Sequence, residues 1–202
     1  ILQVVPGLRL AAPRDGTRLR ANLREAVAVG DAPTVVRFAK GALPEDIPTI
    51  RSQGGVDLLY DRGRPDVLIV AVGAMAGPAL DVADRLADQE IGATVVDPRW
   101  VKPVPDEVVE MAQRYRLVVT IEDNGVVGGV GAAIAGRMRE AGSRTPLRTI
   151  GIPQRFLDHG SRAQVLAEAG LTAQQIGHQV IGWISADSAA LDLDAHVDES
   201  AE

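Results

Sequence analysis

Residues 66–86, DVLIVAVGAMAGPALDVADRL, combine an apolar strand, a tight turn and a helix. The first eight residues are almost unbroken in their apolar character, which is typical of a strand buried on both faces of a parallel sheet. The helix is predicted from residue 76 onward, because Pro78 then lies in its first turn, where a missing backbone N–H does no harm. This stretch therefore predicts the strand–helix unit of an α/β protein.

The same alternation continues towards the end of the chain. Further strands are predicted at GATVVD (92–97), RLVVTIED (116–123) and LRTIGI (147–152), and helices at PDEVVEMAQRY (105–115), GAAIAGRMREAG (131–142), SRAQVLAEAG (161–170) and TAQQIGHQVIGWI (172–184). Strands that alternate with helices of this length predict an α/β fold with a mostly parallel sheet covered by helices on both sides.

The first 41 residues predict a smaller piece of the same kind. LRLAA (8–12) and TVVRF (34–38) are short apolar runs, and the helix between them begins after Asp15, a residue suited to capping it. Its predicted apolar face comprises Leu19, Leu23, Ala26 and Val27. This strand–helix–strand segment is half of an α/β layer, so we expect preceding chain to complete it.

The composition divides the chain into four parts. Residues 1–41 form the incomplete unit, and 42–61 are rich in glycine and proline, as in a linker, although VDLLY (56–60) could add an edge strand. Residues 62–185 form the main α/β domain. Residues 186–202 are acidic and show no apolar period, which predicts a tail.

The overall composition excludes several classes of protein. An apolar content of 46% with 24% charged residues is typical of a soluble globular protein, and the net charge of −6 argues against nucleic-acid or membrane-surface binding. The chain has no cysteine, no apolar run that could span a bilayer and no signal peptide. Lysine is rare while arginine, alanine and valine are abundant, which suggests a GC-rich bacterium.

Two glycine clusters invite a comparison with nucleotide-binding loops. They are VGAMAG (72–77) and GGVGAAIAG (128–136), and neither completes the G-x-G-x-x-G motif directly after a strand. In the second cluster Ile134 occupies the place of the last glycine. The favoured interpretation is tight turning and close packing at helix starts.

Polar residues follow the predicted strand RLVVTIED. Glu122, Asp123 and Asn124 lie where an open α/β sheet binds ligands, so their oxygens could hold a metal ion or move a proton. The same residues could instead accept hydrogen bonds from backbone N–H groups of the glycine-rich loop that enters the next helix. Both interpretations remain open at this point.

Two further loops carry reactive residue types. FLDHG (156–160) places Asp158 next to His159, but these residues and Ser161 are too close in sequence to form a catalytic triad, and Ser161 is suited to cap the next helix. DPRWVKP (97–103) predicts a rigid turn with an internal Asp97–Arg99 ion pair and a subunit contact through its tryptophan. We expect structural roles for both loops.

The strand TVVRF ends close to two cations. Arg37 and Lys40 lie at the edge where α/β sheets bind ligands, and a guanidinium offers a planar fork that matches phosphate. The alternative is that Arg37 and Lys40 are simply solvated at the strand end, and the residue types alone favour neither interpretation.

The chain resembles the C-terminal third of the 1-deoxy-D-xylulose-5-phosphate synthases, a family of the transketolase superfamily. The resemblance covers residues from about 4 to 185 and is carried by VPGLRLAAPRDGTRLRANLREAV, PTVVRFAKG, DVLIVAVGAMAGPALDVADRL, VVDPRWVKPVPDEVV, TIEDNGVVGGVGAAIA and GIPQRFLDHGSRAQVLAEAGLTAQQI. It suggests a GC-rich actinobacterium as the source. Ala39 departs from the family, which more often has proline there.

The resemblance implies a function and its cofactor. Members of this family condense pyruvate with glyceraldehyde 3-phosphate, with loss of carbon dioxide, by means of thiamine diphosphate and Mg²⁺. Residues 1–41 would be the end of the pyrimidine-binding domain and 62–185 the transketolase C-terminal domain of a cytoplasmic homodimer. The family holds its substrate's phosphate with basic residues, which makes Arg37 the first candidate for this role and Lys40 the second.

The resemblance also implies that catalytic and cofactor-binding residues lie elsewhere. The G-D-G motif for the diphosphate and the glutamate that activates the pyrimidine are absent from these 202 residues. We therefore expect no catalytic, cofactor or metal residue in this chain, and an inactive fragment without its upstream part. The alternatives are a non-catalytic dimer-assembly domain, or the beta subunit of a 2-oxo acid dehydrogenase.

Overall fold

The computed structural model describes the backbone of residues 2–198 and the side chains of residues 2–186. Nine strands and six helices alternate within this range, together with short 3₁₀ turns at Leu2–Val4 and Gly73–Met75. In chain order the elements are β1 (Arg9–Ala11), α1 (Gly16–Ala28), β2 (Thr34–Val36), β3 (Arg51–Gln53), β4 (Val56–Arg62), β5 (Val67–Ala71), α2 (Ala76–Ala87), β6 (Ala93–Asp97), β7 (Trp100–Lys102), α3 (Asp106–Ala112), β8 (Leu117–Gly125), α4 (Val130–Glu140), β9 (Leu147–Ile152), α5 (Arg162–Glu168) and α6 (Ala173–Asp198).

A six-stranded sheet organises most of the chain. Its strand order is β3-β4-β6-β5-β8-β9. The four strands β6, β5, β8 and β9 are parallel, whereas β3 and β4 add an antiparallel edge. The predicted α/β fold with a mostly parallel sheet is therefore confirmed.

Two apolar layers cover this sheet, one on each face. Side chains of β5 alternate between them, because successive residues of a strand point to opposite faces. Val67, Ile69 and Ala71 join the layer that contains residues of α2 and α6, whereas Leu68 and Val70 join the layer that contains residues of α3 and α4. Burial on both faces explains why β5 is apolar throughout.

The first segment of the chain forms a second, smaller sheet. Its order is β2-β1-β7, with β1 parallel to β2 and antiparallel to β7. Leu10 and Ala12 are buried in the same apolar layer as α3 and α4. Residues 1–41 are thus joined to the main unit by both a strand pairing and a shared core, and the assignment of this segment to a separate pyrimidine-binding domain stays a prediction.

The segment predicted as a linker is more ordered than its composition suggested. β3 lies within residues 42–61, and β4 begins there. β4 pairs with β6 inside the six-stranded sheet. The predicted edge strand VDLLY is present, but β3 lies outside it as the edge. Gly54 and Gly55, both with positive φ, form the hairpin between these strands. These two glycines therefore belong to a tight turn rather than to a linker.

Helix α1 does not bury the face that its apolar pattern predicted. Ala26 is buried as expected, but Leu23 is 46% exposed and Val27 is 86% exposed. The side packed against the described chain contains polar residues instead, including the fully buried Asn22. Within the described residues, nothing covers the outer apolar side chains of this helix.

Helix α6 corrects the prediction of a pattern-free tail. It begins at Ala173 and continues to Asp198, well past residue 186. Alanine and leucine are frequent in this segment and favour helix, which explains why an aperiodic sequence is still helical. Residues 199–202 lie outside the described residues. No helix in the described part of the chain is long and apolar enough to cross a membrane.

Candidate functional site

Arg37 follows directly after β2, and its backbone is fixed at that point. Its N–H donates to the carbonyl oxygen of Ala11 at 2.8 Å, which extends the β1–β2 pairing by one residue. The side chain is 38% exposed. Arg37 therefore starts from an ordered strand end and reaches the molecular surface, a position that fits both the anion-binding and the solvated strand-end interpretation.

The partner of Arg37 is Asp123, near the carboxyl end of β8. Arg37 Nη1 donates to Asp123 Oδ1, and Arg37 Nη2 donates to the carbonyl oxygen of Asp123 at 3.2 Å. The Asp123 side chain is only 1% exposed. A charge-assisted contact to a buried carboxylate fixes the orientation of the guanidinium more tightly than a surface ion pair does.

Arg162 completes this group, and the sequence analysis missed it. Its Nη2 donates to Asp123 Oδ2 at 2.5 Å, so each carboxylate oxygen of Asp123 accepts from a different arginine. Arg162 is the first residue of α5, and Ser161 caps that helix with the predicted hydroxyl contact to the N–H of Gln164. The sequence feature that could have indicated Arg162 was its position directly after the predicted cap residue Ser161.

Glu122 serves the backbone rather than a ligand. Its side chain is buried, and it accepts hydrogen bonds of 2.9 Å from the N–H groups of Val130 and Gly131 at the start of α4. Burial raises the pKa of Glu122, although these two hydrogen bonds oppose the effect. Of the two interpretations of the acidic segment, the backbone role applies to Glu122, and an ion pair with two arginines applies to Asp123.

Lys40 does not join the Arg37 group. It is exposed, and it lines a cavity of about 770 Å³ together with Arg162. Arg37 and Asp123 line a different cavity of about 380 Å³. The structure therefore places the two cations in different cavities, and Arg162 lines the cavity of Lys40 rather than that of Arg37.

The described residues provide no metal site. No group of three or more histidine, aspartate or glutamate side chains among them is arranged to hold a metal ion. His159 and Asp158 are exposed in the loop before α5, where Ser161 is engaged as a helix cap. The cap at Ser161 is confirmed, and the structural role of Asp158 and His159 stays a prediction.

A buried ionic network involves Arg14, which lines the same cavity as Lys40 and Arg162 and which the sequence analysis did not single out. Arg14 Nη1 donates to Asp57 at 2.8 Å and to Asp97 at 2.7 Å, and its Nη2 donates to the carbonyl oxygen of Ile47 and to Thr49. Burial alone would raise the pKa of Asp57, but hydrogen bonds from Ser52 and Arg14 outweigh it and hold that pKa below its usual value. The network ties the first segment to the main sheet.

The predicted Asp97–Arg99 ion pair is wrong. Asp97 accepts from the backbone N–H of Arg99 at 2.8 Å, while its other oxygen binds Arg14. The guanidinium of Arg99 pairs with Glu25 on α1, which also accepts from the indole N–H of Trp100 at 2.7 Å. The turn itself is present, but tertiary partners replace the local one.

Comparisons with known proteins agree with this architecture. The family model described as "Transketolase, C-terminal domain" matches residues 57–176. The chain is 60% identical over 187 residues to "1-deoxy-D-xylulose-5-phosphate synthase 2" of Streptomyces coelicolor, which covers 92% of this chain and 29% of that protein. It is 56% identical over 194 residues to "1-deoxy-D-xylulose-5-phosphate synthase" of Mycobacteroides abscessus, covering 93% of this chain and 30% of that protein. The chain thus spans less than a third of the length of these curated relatives.

Solved structures show the same fold. The protein titled "Split gene transketolase, inactive beta4 tetramer" superposes with a TM-score of 0.80 at 30% identity, covering 91% of this chain and 60% of that one. Transketolase from Campylobacter jejuni superposes with a TM-score of 0.69 at 15% identity, covering 90% of this chain and 27% of that one. At that low identity the second likeness concerns the fold alone.

Proposed function

The chain belongs to the transketolase C-terminal domain family, and from that membership we propose that it forms part of a thiamine-diphosphate-dependent 1-deoxy-D-xylulose-5-phosphate synthase. The reaction joins pyruvate to D-glyceraldehyde 3-phosphate with loss of carbon dioxide, and its product feeds isoprenoid, thiamine and pyridoxal synthesis. The observation that carries the proposal is the 60% identity over 187 residues, because the match extends well beyond the family domain and includes Arg37.

Arg37 is proposed to bind the phosphate of the aldehyde acceptor. Its guanidinium is anchored on one side by Asp123 and is 38% exposed on the other, so it retains N–H donors for a ligand. A planar fork suits phosphate oxygens, which accept two parallel hydrogen bonds. Lys40 is proposed as a weaker, outer contact, because it is exposed and lines the neighbouring cavity.

Thiamine diphosphate and Mg²⁺ would be held by other parts of the enzyme. The residues described here do not fit the diphosphate and its ion, since they include neither the G-D-G motif nor a cluster of metal ligands. When bound, the cofactor supplies the electron sink for pyruvate decarboxylation. The contribution of this chain is to bind and orient the phosphorylated acceptor.

We also propose that the whole enzyme is a cytoplasmic homodimer. The exposed apolar side chains Leu23 and Val27 on α1 support an additional partner surface, formed either by the rest of the chain or by a second copy. The related split-gene transketolase is described by its title as a tetramer.

An activity assay tests the proposed function directly. Full-length protein with thiamine diphosphate and Mg²⁺ is incubated with pyruvate and glyceraldehyde 3-phosphate, and the five-carbon product is measured by mass spectrometry. We expect product formation that depends on both substrates. Pyruvate-dependent acetylation of a lipoyl acceptor without any five-carbon product would instead identify a beta subunit of a 2-oxo acid dehydrogenase.

A further inference from the structure

We infer that Arg162 is a phosphate-binding residue of the acceptor site in addition to Arg37, and that Asp123 is the positioning residue that holds both guanidiniums. The inference rests on the proposed function, because it takes the phosphorylated aldehyde as the ligand. It assigns a substrate-binding role to the transketolase C-terminal domain itself, since Asp123 and Arg162 both lie within the residues that match that domain.

The first argument is geometric. Asp123 Oδ1 accepts from Arg37 and Asp123 Oδ2 accepts from Arg162, so the two guanidiniums flank a single carboxylate. They come from different elements, the end of β2 and the start of α5. Arg37 lines one cavity and Arg162 the other, and both guanidiniums start from the same carboxylate. A phosphate group has several terminal oxygens, so it can accept from N–H donors of both.

The second argument concerns charge and burial. Asp123 is one carboxylate shared by two guanidiniums, while the neighbouring carboxyl group of Glu122 is engaged by two backbone N–H groups at the start of α4. The Asp123 carboxylate is 1% exposed, whereas the side chains of Arg37 and Arg162 are 38% and 42% exposed. The positive charge therefore faces the surface and the negative charge is enclosed behind it, so an incoming anion meets the arginines first.

The third argument is that both arginines keep free donors. A guanidinium carries five N–H groups. Arg37 uses two of its nitrogen atoms for Asp123, and Arg162 uses one. The described residues supply no other acceptor to either side chain, so most of these donors remain available to a ligand.

Asp123 is a positioning residue because its own oxygens are already engaged. Both accept from arginine, and its side chain is almost fully enclosed. Without this carboxylate each arginine would regain its rotamer freedom, and the precise orientation of the bound phosphate would be lost.

Steady-state kinetics of full-length variants test the inference. Arg162→Ala, Arg162→Lys and Asp123→Asn are assayed with glyceraldehyde 3-phosphate and with unphosphorylated glyceraldehyde as acceptor. We expect Arg162→Ala to lower kcat/KM for the phosphorylated acceptor roughly 10- to 150-fold. For unphosphorylated glyceraldehyde and for pyruvate, kcat/KM should stay nearly unchanged. Arg162→Lys should restore part of the loss, and Asp123→Asn should show the same selectivity between acceptors.

Arg155→Ala is the matched control. Arg155 lies in the same connection between β9 and α5, is 52% exposed and pairs with Glu168 rather than with Asp123. It should behave as the wild type with both acceptors. Equal losses with the two acceptors in Arg162→Ala would indicate a structural role and overturn the inference, as would unchanged kinetics.

A separate measurement distinguishes this inference from the proposed function. Inorganic phosphate should raise the melting temperature of the wild type and of Arg155→Ala, and should do so much less in Arg162→Ala. If the wild type forms no five-carbon product, the proposed function fails, while the phosphate shift still decides whether Arg37 and Arg162 form an anion site. A shift that is identical in all variants would contradict that site.

Discussion

Arg37 donates to both the side chain and the backbone carbonyl of Asp123, a residue 86 positions later in the chain. The contact joins the end of β2 to the end of β8. Since β8 belongs to the transketolase C-terminal domain, the orientation of the proposed phosphate-binding arginine is set by that domain.

Arg37→Ala is expected to impair use of the phosphorylated acceptor. One charge-assisted contact contributes about 1.5–3 kcal/mol, so kcat/KM for glyceraldehyde 3-phosphate should fall roughly 10- to 150-fold. Pyruvate decarboxylation should be largely retained, because pyruvate carries no phosphate. Kinetics in which each substrate is varied in turn provide the measurement.

Lys40→Ala should have a smaller effect on the same acceptor. Lys40 is exposed, and an ammonium makes a single, strongly hydrated contact. A loss in Lys40→Ala as large as that in Arg37→Ala would show that the assignment of the main contact to Arg37 is wrong.

The isolated 202-residue chain should not bind thiamine diphosphate. The G-D-G motif for the diphosphate is absent from its sequence, and the family resemblance implies that the activating glutamate lies in another part of the enzyme. Calorimetric titration with the cofactor and Mg²⁺ should give no heat of binding, with circular dichroism as a control for folding. Micromolar binding would mean that the cofactor site has been assigned to the wrong part of the enzyme.

Arg14→Met should strongly destabilise the fold. Arg14 is almost fully enclosed and binds Asp57 and Asp97, so its removal leaves the buried Asp97 without a cationic partner, while Asp57 keeps its ion pair with Arg18. Such a change typically costs about 3–5 kcal/mol. Arg9→Met is the control, because Arg9 makes only an exposed ion pair of 3.9 Å with Asp31 and should change stability by less than about 1 kcal/mol. Chemical denaturation of both variants checks the difference.

Substitution by alanine should have opposite effects on stability at two glycines of α4. A Cβ at Gly131 would lie 2.3 Å from Thr120 Oγ1 and 2.6 Å from Thr149 Cγ2, so Gly131→Ala should destabilise by about 1–3 kcal/mol. A Cβ at Gly136 would meet nothing within 4 Å, and Gly136→Ala should stabilise by about 0.5–1 kcal/mol through helix propensity. Thermal unfolding of the pair tests this; equal effects would contradict the close helix–sheet contact at Gly131.

The phenol groups of both tyrosines should lose their protons at a higher pH in the folded state than in the unfolded state. Burial raises the pKa of Tyr60 and of Tyr115, because it disfavours the phenolate. Their contribution to stability is therefore fully present below the unfolded pKa of about 10 and is lost as the pH rises through the folded pKa. Ultraviolet titration of phenolate in native and denatured protein measures the shift, and coincident curves would refute it.

The sequence by itself determined the helices and the parallel strands of the main unit and their order along the chain, but not β3 or β7, which lies in a segment predicted as a turn. Unbroken apolar runs such as β5 are sufficient for this, because a strand buried on both faces leaves no place for polar residues. Local capping was equally predictable: Asp15 accepts from the N–H of Arg18, and Ser161 begins α5 as expected. These contacts span three residues, so neighbouring sequence contains all the information they require.

Only the tertiary structure decided which charges meet. Asp97 was expected to pair with Arg99 two positions away, but it binds Arg14, 83 residues distant, and Asp123 joins Arg37 to Arg162 across separate elements. Periodicity predicts which face of an element is buried, and for α1 even that prediction fails. Strand order and the pairing of β1 with β7 specify which ends come together. The partners of a buried charge therefore depend on the packing of distant segments, and no local pattern contains them.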